Sequence, residues 1–152
     1  VGGCCVSATL RDWGRVGLLL LDQGRIDGRA ITPDDWFGMA TRKQADIGLP
    51  GRGYGFQWWT TDAGTFDARG IFGQMIHVDP ERRLAVVILS AWPVATGRER
   101  SAAREAFLER VRQAVDGFWR HADLDAATGP PPRAPASSGD RRTQLCLRCR
   151  DC

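Results

Sequence analysis

The chain has 152 residues, of which 43% are hydrophobic and 26% charged, the balance of one ordinary globular domain rather than of a fibrous or fully disordered polypeptide. Its 21 basic and 18 acidic residues mix along the chain and leave a net charge of +3, so no nucleic-acid partner is expected. The apolar run from Val16 to Leu21 is far shorter than the roughly 20 residues a membrane span needs, so no membrane partner is expected either.

The chain opens at Val1 inside patterned sequence, and the expectation is that it continues a longer polypeptide. Thr9-Leu10-Arg11-Asp12 starts a helix, with Thr9 as cap and an acidic residue in the first turn. Leu10, Trp13, Gly17, Leu20 and Leu21 follow at helical spacing, and Gly24 fits the stop. Asp27-Gly28 marks a turn between short extended pieces at Arg25-Ile26 and Ala30-Ile31. Thr32-Pro33-Asp34-Asp35-Trp36 reads as a second helix opening, capped by Thr32. Gly48 to Gly53 reads as a loop.

Tyr54 to Thr60 is aromatic and strand-like, and Phe66 to Phe72 returns beside it after a turn at Asp62-Ala63-Gly64. Gln74 to Val78 and Leu84 to Ala91 form two more strands around a polar turn at residues 79–83. Such short links imply an antiparallel sheet. The run LAVVILSA is apolar on both faces, which predicts a central, covered strand. Ser101 to Arg120 is an amphipathic helix whose stripe of Ala103, Phe107, Val111, Ala114, Val115 and Phe118 suits one face of that sheet. The fold class is therefore α+β: an antiparallel sheet with a C-terminal helix packed on one face. Residues 1–121 form the domain, and residues 122–152, rich in Pro, Ser, Arg and Cys, are expected to be a disordered tail.

Five cysteines sit at the two ends, an odd count that makes a poor disulfide framework and points to reduced thiols of a cytoplasmic protein. Cys146, Cys149 and Cys152 are closely spaced, but a structural zinc site wants four ligands and a fold around them, so no metal is expected. His77 alternates with Ile76 and Val78 and points away from them, as a structural or exposed histidine. Trp58 and Trp59 are expected on opposite faces of one strand, so that one can pack in the core while the other lines a cleft. Gly70 and Gly73 interrupt an apolar strand. Glycine there marks either a bulge or the close approach of a backbone or ligand.

Three stretches, GGCCVSATLRDWGRVGLLLLDQGRIDG, YGFQWWT and ARGIFGQMIHVDPERRLAVVILSAW, resemble in order and spacing the C-terminal portion of serine β-lactamase-like hydrolases. That family includes penicillin-binding proteins, carboxylesterases and 6-aminohexanoate-dimer hydrolases, and the Tyr-Gly-x-Gln-Trp-Trp form leans toward the esterase and amide-oligomer branch. The resemblance covers Val1 to Arg120. It implies a partial β-lactamase/transpeptidase-like fold and hydrolysis of a small ester or amide through an acylated serine, with no metal or organic cofactor. The family's third motif, Lys-Thr-Gly, falls on Ala68-Arg69-Gly70. Ile71 then supplies a backbone N–H to the oxyanion hole, a contribution of about 3 kcal/mol at the transition state. Gly70 lets substrate lie flat, and Arg69, Gln74, Trp58 and Trp59 are the candidate substrate-binding side chains. Ala68 in place of lysine argues against carboxylate-bearing β-lactams more than against hydrolysis.

The family's nucleophile motif, Ser-x-x-Lys, places an amine one helical turn from the hydroxyl it deprotonates. No serine of this chain has a lysine three residues on; the only lysine is Lys43, and there is no asparagine for a Tyr-x-Asn motif. The implied partner is the upstream part of the same domain, and the chain alone is expected to be inactive. The alternatives are a non-catalytic ligand- or partner-binding module, or a gene remnant without selected function.

Overall fold

A threonine hydroxyl opens the first element of the computed structural model, which describes residues 6–33 and 35–128. Thr9 Oγ1 accepts from the Asp12 amide at 3.2 Å and starts α1 (Leu10–Leu21). Gly24, at φ 71°, ends it by donating to the Leu19 carbonyl at 2.9 Å. Asp27 and Gly28 both take positive φ, the conformation a two-residue hairpin demands, and join β1 (Arg25–Ile26) to β2 (Arg29–Ala30). The next helix, α2 (Trp36–Ala40), is shorter than its opening motif suggests: Asp35, in the left-handed region and without a side-chain cap bond, stands at its start in place of Thr32.

Six strands then pair antiparallel in chain order: β3 (Ala45–Asp46), β4 (Arg52–Tyr54), β5 (Trp59–Thr61), β6 (Phe66–Arg69), β7 (Met75–Asp79) and β8 (Leu84–Ile88). The aromatic segment expected as one strand is two. Tyr54 pairs with Trp59, and the Gly55 N–H donates to the Trp58 carbonyl at 2.8 Å. The turn has a tertiary cause, since a Cβ at Gly55 would overlap the Ala40 carbonyl at the end of α2. The strand expected to reach Phe72 likewise stops at Arg69.

The register between β7 and β8 assigns the faces. Ile76 opposite Val87 and Val78 opposite Ala85 share one face, and there the buried Gly17 lets α1 approach the Ala85 side chain. Met75, His77 and Asp79, opposite Ile88, Val86 and Leu84, occupy the other face. This second face receives α3 (Arg98–Thr128) through Arg112, which lies 3.2 Å from His77 Nε2 and 4.0 Å from Asp79. One face of β8 packs on α1, and beyond it Val86 and Ile88 line an open cavity with Ala103 and Phe107 of α3. The strand is therefore an edge strand among the described residues, not the central covered strand expected, and all five of its residues are half-buried. Hydropathy reports the covering of faces and is silent on the pairing of edges.

The helix α3 is also rotated from the stripe expected of it. Leu108 enters the core at 1% exposure, while Phe107 is half exposed. Arg82 bridges Asp116, at 2.8 and 3.1 Å, and the buried Asp79, at 3.1 Å, so an ionic lock rather than the largest apolar side chains sets the rotation. Helix continues past His121 to Thr128, inside the segment expected to be disordered. The described residues divide into two units, the first ending at Gly117 and the second beginning at Phe118; in the second, the Phe118 and Trp119 rings meet edge to face at 5.4 Å. The remaining tail, with Cys146, Cys149 and Cys152, lies outside the described residues. None of the described helices is long and apolar enough to cross a membrane.

Candidate functional site

The turn between β6 and β7 is built by its glycines. Gly70 donates to the Gln74 carbonyl at 2.8 Å, and Gly73 donates to the Gly70 carbonyl at 3.2 Å. Gly73 sits at φ 92°, and a Cβ there would run into the Trp92 indole. Three further bonds tie the segment after β8 to this turn. Ser90 Oγ donates to the Gly73 carbonyl at 3.1 Å, the Trp92 N–H to the Phe72 carbonyl at 3.0 Å, and the Thr96 N–H to the Ile71 carbonyl at 2.7 Å. Trp92 is thus held against the turn, and the Arg104 guanidinium of α3 stacks over its indole at 5.3 Å. These parts enclose an open cavity of about 270 Å³ lined by Trp59, Thr60, Arg69, Gly70, Ile71 and Arg104, among others.

Beneath it lies a buried polar chain. Asp67 Oδ1 is 2.5 Å from His77 Nδ1, and Asp67 Oδ2 accepts from Arg69 at 2.5 Å. Arg112 approaches the other side of the ring, 3.2 Å from Nε2. A guanidinium can only donate, so Nε2 is the acceptor and Nδ1–H faces Asp67, which makes the imidazole neutral and fixes its tautomer. Burial is the largest single influence on the Asp67 carboxyl and raises its pKa. The His77 hydrogen bond and the Arg69 charge together outweigh it and hold the carboxyl below its ordinary value.

Two polar atoms, Thr60 Oγ1 on the sheet face of its cross-strand partner Phe66 and Arg104 Nε on α3, are buried without a hydrogen-bond partner among the described residues. Burial, followed by the neighbouring Arg69 charge, pushes the Arg104 guanidinium below the usual arginine range.

Of the residues singled out from the sequence, Arg69, Gly70, Ile71 and Trp59 line the cavity together. Trp58 turns into the core, edge-on to Phe66 at 5.3 Å, whereas Trp59 meets Tyr54 edge to face at 4.9 Å. Gln74 is not among the lining residues; its side chain occupies the space a Cβ would take at Gly70, which gives that glycine a packing reason independent of any substrate. His77 is a buried structural histidine, 1% exposed. Sequence reasoning missed Thr60, Trp92, Thr96, Ser101 and Arg104. Each lies outside the motif, and no local pattern brings them to one wall.

A family model described as Beta-lactamase matches residues 2–110, a span that holds every cavity residue named above. A 6-aminohexanoate-dimer hydrolase of Paenarthrobacter ureafaciens is 32% identical over 122 residues, which cover 73% of this chain and 31% of that protein. The chain therefore spans well under two thirds of the length of this relative.

Proposed function

This chain belongs to the beta-lactamase family, and on that footing we propose that it forms one wall of the acyl-transfer site of a serine hydrolase, from the C-terminal part of a β-lactamase/transpeptidase-like domain. The observation that carries this reading is the Gly70-Ile71 turn, which opens on an aromatic-walled cavity inside the family-matched span. In the proposed reaction the Ile71 N–H donates to the carbonyl oxygen of an ester or amide as charge develops on it. A correctly aimed donor of this kind contributes about 3 kcal/mol. Trp59 and Trp92 shelter the acyl chain, and Arg69 is steadied by Asp67 and, at 3.4 Å, by Glu105.

The serine to be acylated, and the lysine that takes its proton, would come from polypeptide outside these 152 residues, since the chain has no Ser-x-x-Lys. Water then releases the acyl group, and no metal or organic cofactor takes part. The same missing polypeptide is the proposed partner for the outer edge of β8 and for exposed apolar side chains such as Leu10, Leu89 and Phe107.

Two preparations test this. The purified chain should hydrolyse p-nitrophenyl butyrate no faster than a blank. A chimera in which it replaces the aligned segment of the Paenarthrobacter hydrolase should turn the ester over. Hydrolysis by the chain alone, or a folded chimera without activity, would overturn the proposal.

A further inference from the structure

We infer that His77, acting through Asp67, is a positioning residue for Arg69 in the cavity wall. The guanidinium so fixed selects an uncharged hydrogen-bond acceptor on the substrate. That selection rests on the acyl-transfer reading; the positioning does not. Arg69 Nε and Nη2 both donate to Asp67 Oδ2, at 3.1 and 2.5 Å, and Nη2 also lies 3.4 Å from Glu105 of α3. The second carboxylate oxygen, Oδ1, is engaged in its turn by Nδ1–H of the buried His77, at 2.5 Å. On the helix side Arg112 donates to His77 Nε2 at 3.2 Å, which leaves Nδ1 as the ring's donor. Side chains of α3, β7 and β6 thus lead from the core to the cavity with a donor and an acceptor matched at each step. A hydrogen-bonded chain satisfied in this way rigidifies the group at its end.

The edge of Arg69 left for a ligand follows from the bonds already made. With Nε and Nη2 committed, Nη1 has no hydrogen-bond partner among the described residues, and Arg69 lines the cavity. A guanidinium nitrogen can only donate, so the ligand must accept. Charge narrows the acceptor. Asp67 and Glu105 stand against Arg69 and also act on the neighbouring Arg104, so two carboxylates answer two guanidiniums. A carboxylate brought here would meet two like charges along with the arginines, whereas an amide or ester carbonyl takes the bond without that repulsion. The substrate class is thus an acyl chain that carries an uncharged carbonyl acceptor beyond the scissile bond.

The positioning is tested in the 152-residue chain by heteronuclear NMR of arginine Nε–H groups, the Arg69 signal being identified by its loss in Arg69→Lys. That signal should exchange slowly with solvent. His77→Asn keeps an N–H near the Nδ1 position and should preserve the slow exchange. His77→Gln moves its amide toward the Nε2 position, leaves Asp67 Oδ1 without its donor, and should speed exchange about tenfold. Equal exchange in the two variants would overturn the positioning. If His77→Gln does not fold, the parent chain decides: a neutral ring protonated at Nε2 rather than Nδ1 overturns it. The selection is tested in the chimera with p-nitrophenyl esters whose acyl chains end in an amide or in a carboxylate. KM should be about tenfold lower for the amide-ended ester, and His77→Gln should erase that difference while kcat changes about twofold at most. Equal KM values in an active chimera, or a preference for the carboxylate, would overturn the selection. An inactive chimera removes the acyl-transfer reading and the substrate class with it, and the exchange rates still decide the positioning.

Discussion

Replacing Gly73 with alanine should lower stability by about 3 kcal/mol, the sum of a left-handed backbone forced on an L residue and a methyl group driven into a packed indole. Gly73 lies at φ 92°, and its missing Cβ would coincide with the Trp92 ring. Gly64 is the control. Its φ is 78°, but nothing lies within 4 Å of the Cβ position, so alanine there should cost about 1 kcal/mol through backbone strain alone. Urea midpoints of the two variants measure the difference, and an equal loss would show that Trp92 does not press on the turn.

The second large effect belongs to Asp67→Asn. Neutralising this carboxylate leaves Arg69 without its 2.5 Å partner and presents His77 Nδ1–H with an amide, in a site where Asp67 is 5% exposed and His77 1%. Breaking a buried, hydrogen-bonded pair by altering one partner costs about 3 kcal/mol. The same substitution carries a pH signature. The Asp67 carboxyl is held below the ordinary value of 3.8 in the folded chain, so its contribution is complete above 3.8 and lost as the pH falls through the folded value. The parent chain should therefore lose stability below pH 3.8 more steeply than Asp67→Asn, and the gap between their urea midpoints should narrow there. A gap that stays constant from neutral to acid would mean that Asp67 is no more stable as the charged carboxylate in the fold than in the unfolded chain.

Much of this was legible beforehand. The Thr9 cap, the Gly24 stop and the Asp27-Gly28 turn are decided within a few residues, because capping and positive φ are local demands. The alternation around His77 correctly set it apart from Ile76 and Val78, because the period of a strand is fixed by its pleat. The order of the three family-like stretches was enough to place the chain in its family and to single out Arg69, Gly70, Ile71 and Trp59, which do share one wall.

Other features had no local trace. Gly55 divides an aromatic segment into a hairpin because α2 ends against it, a contact between parts of the chain that no strand pattern encodes. Leu108 faces inward and Phe107 does not, because Arg82 reaches from the sheet to Asp116 of the helix and Arg112 reaches from the helix to His77 and Asp79. Thr60, Trp92 and Arg104 meet at one cavity although they come from a strand, an irregular segment and a helix. Local rules thus specified the elements and their turns, because capping, φ and strand period act over a few residues. The cavity arose from packing, because burial and hydrogen-bond satisfaction are set by whichever distant side chains arrive at the same place.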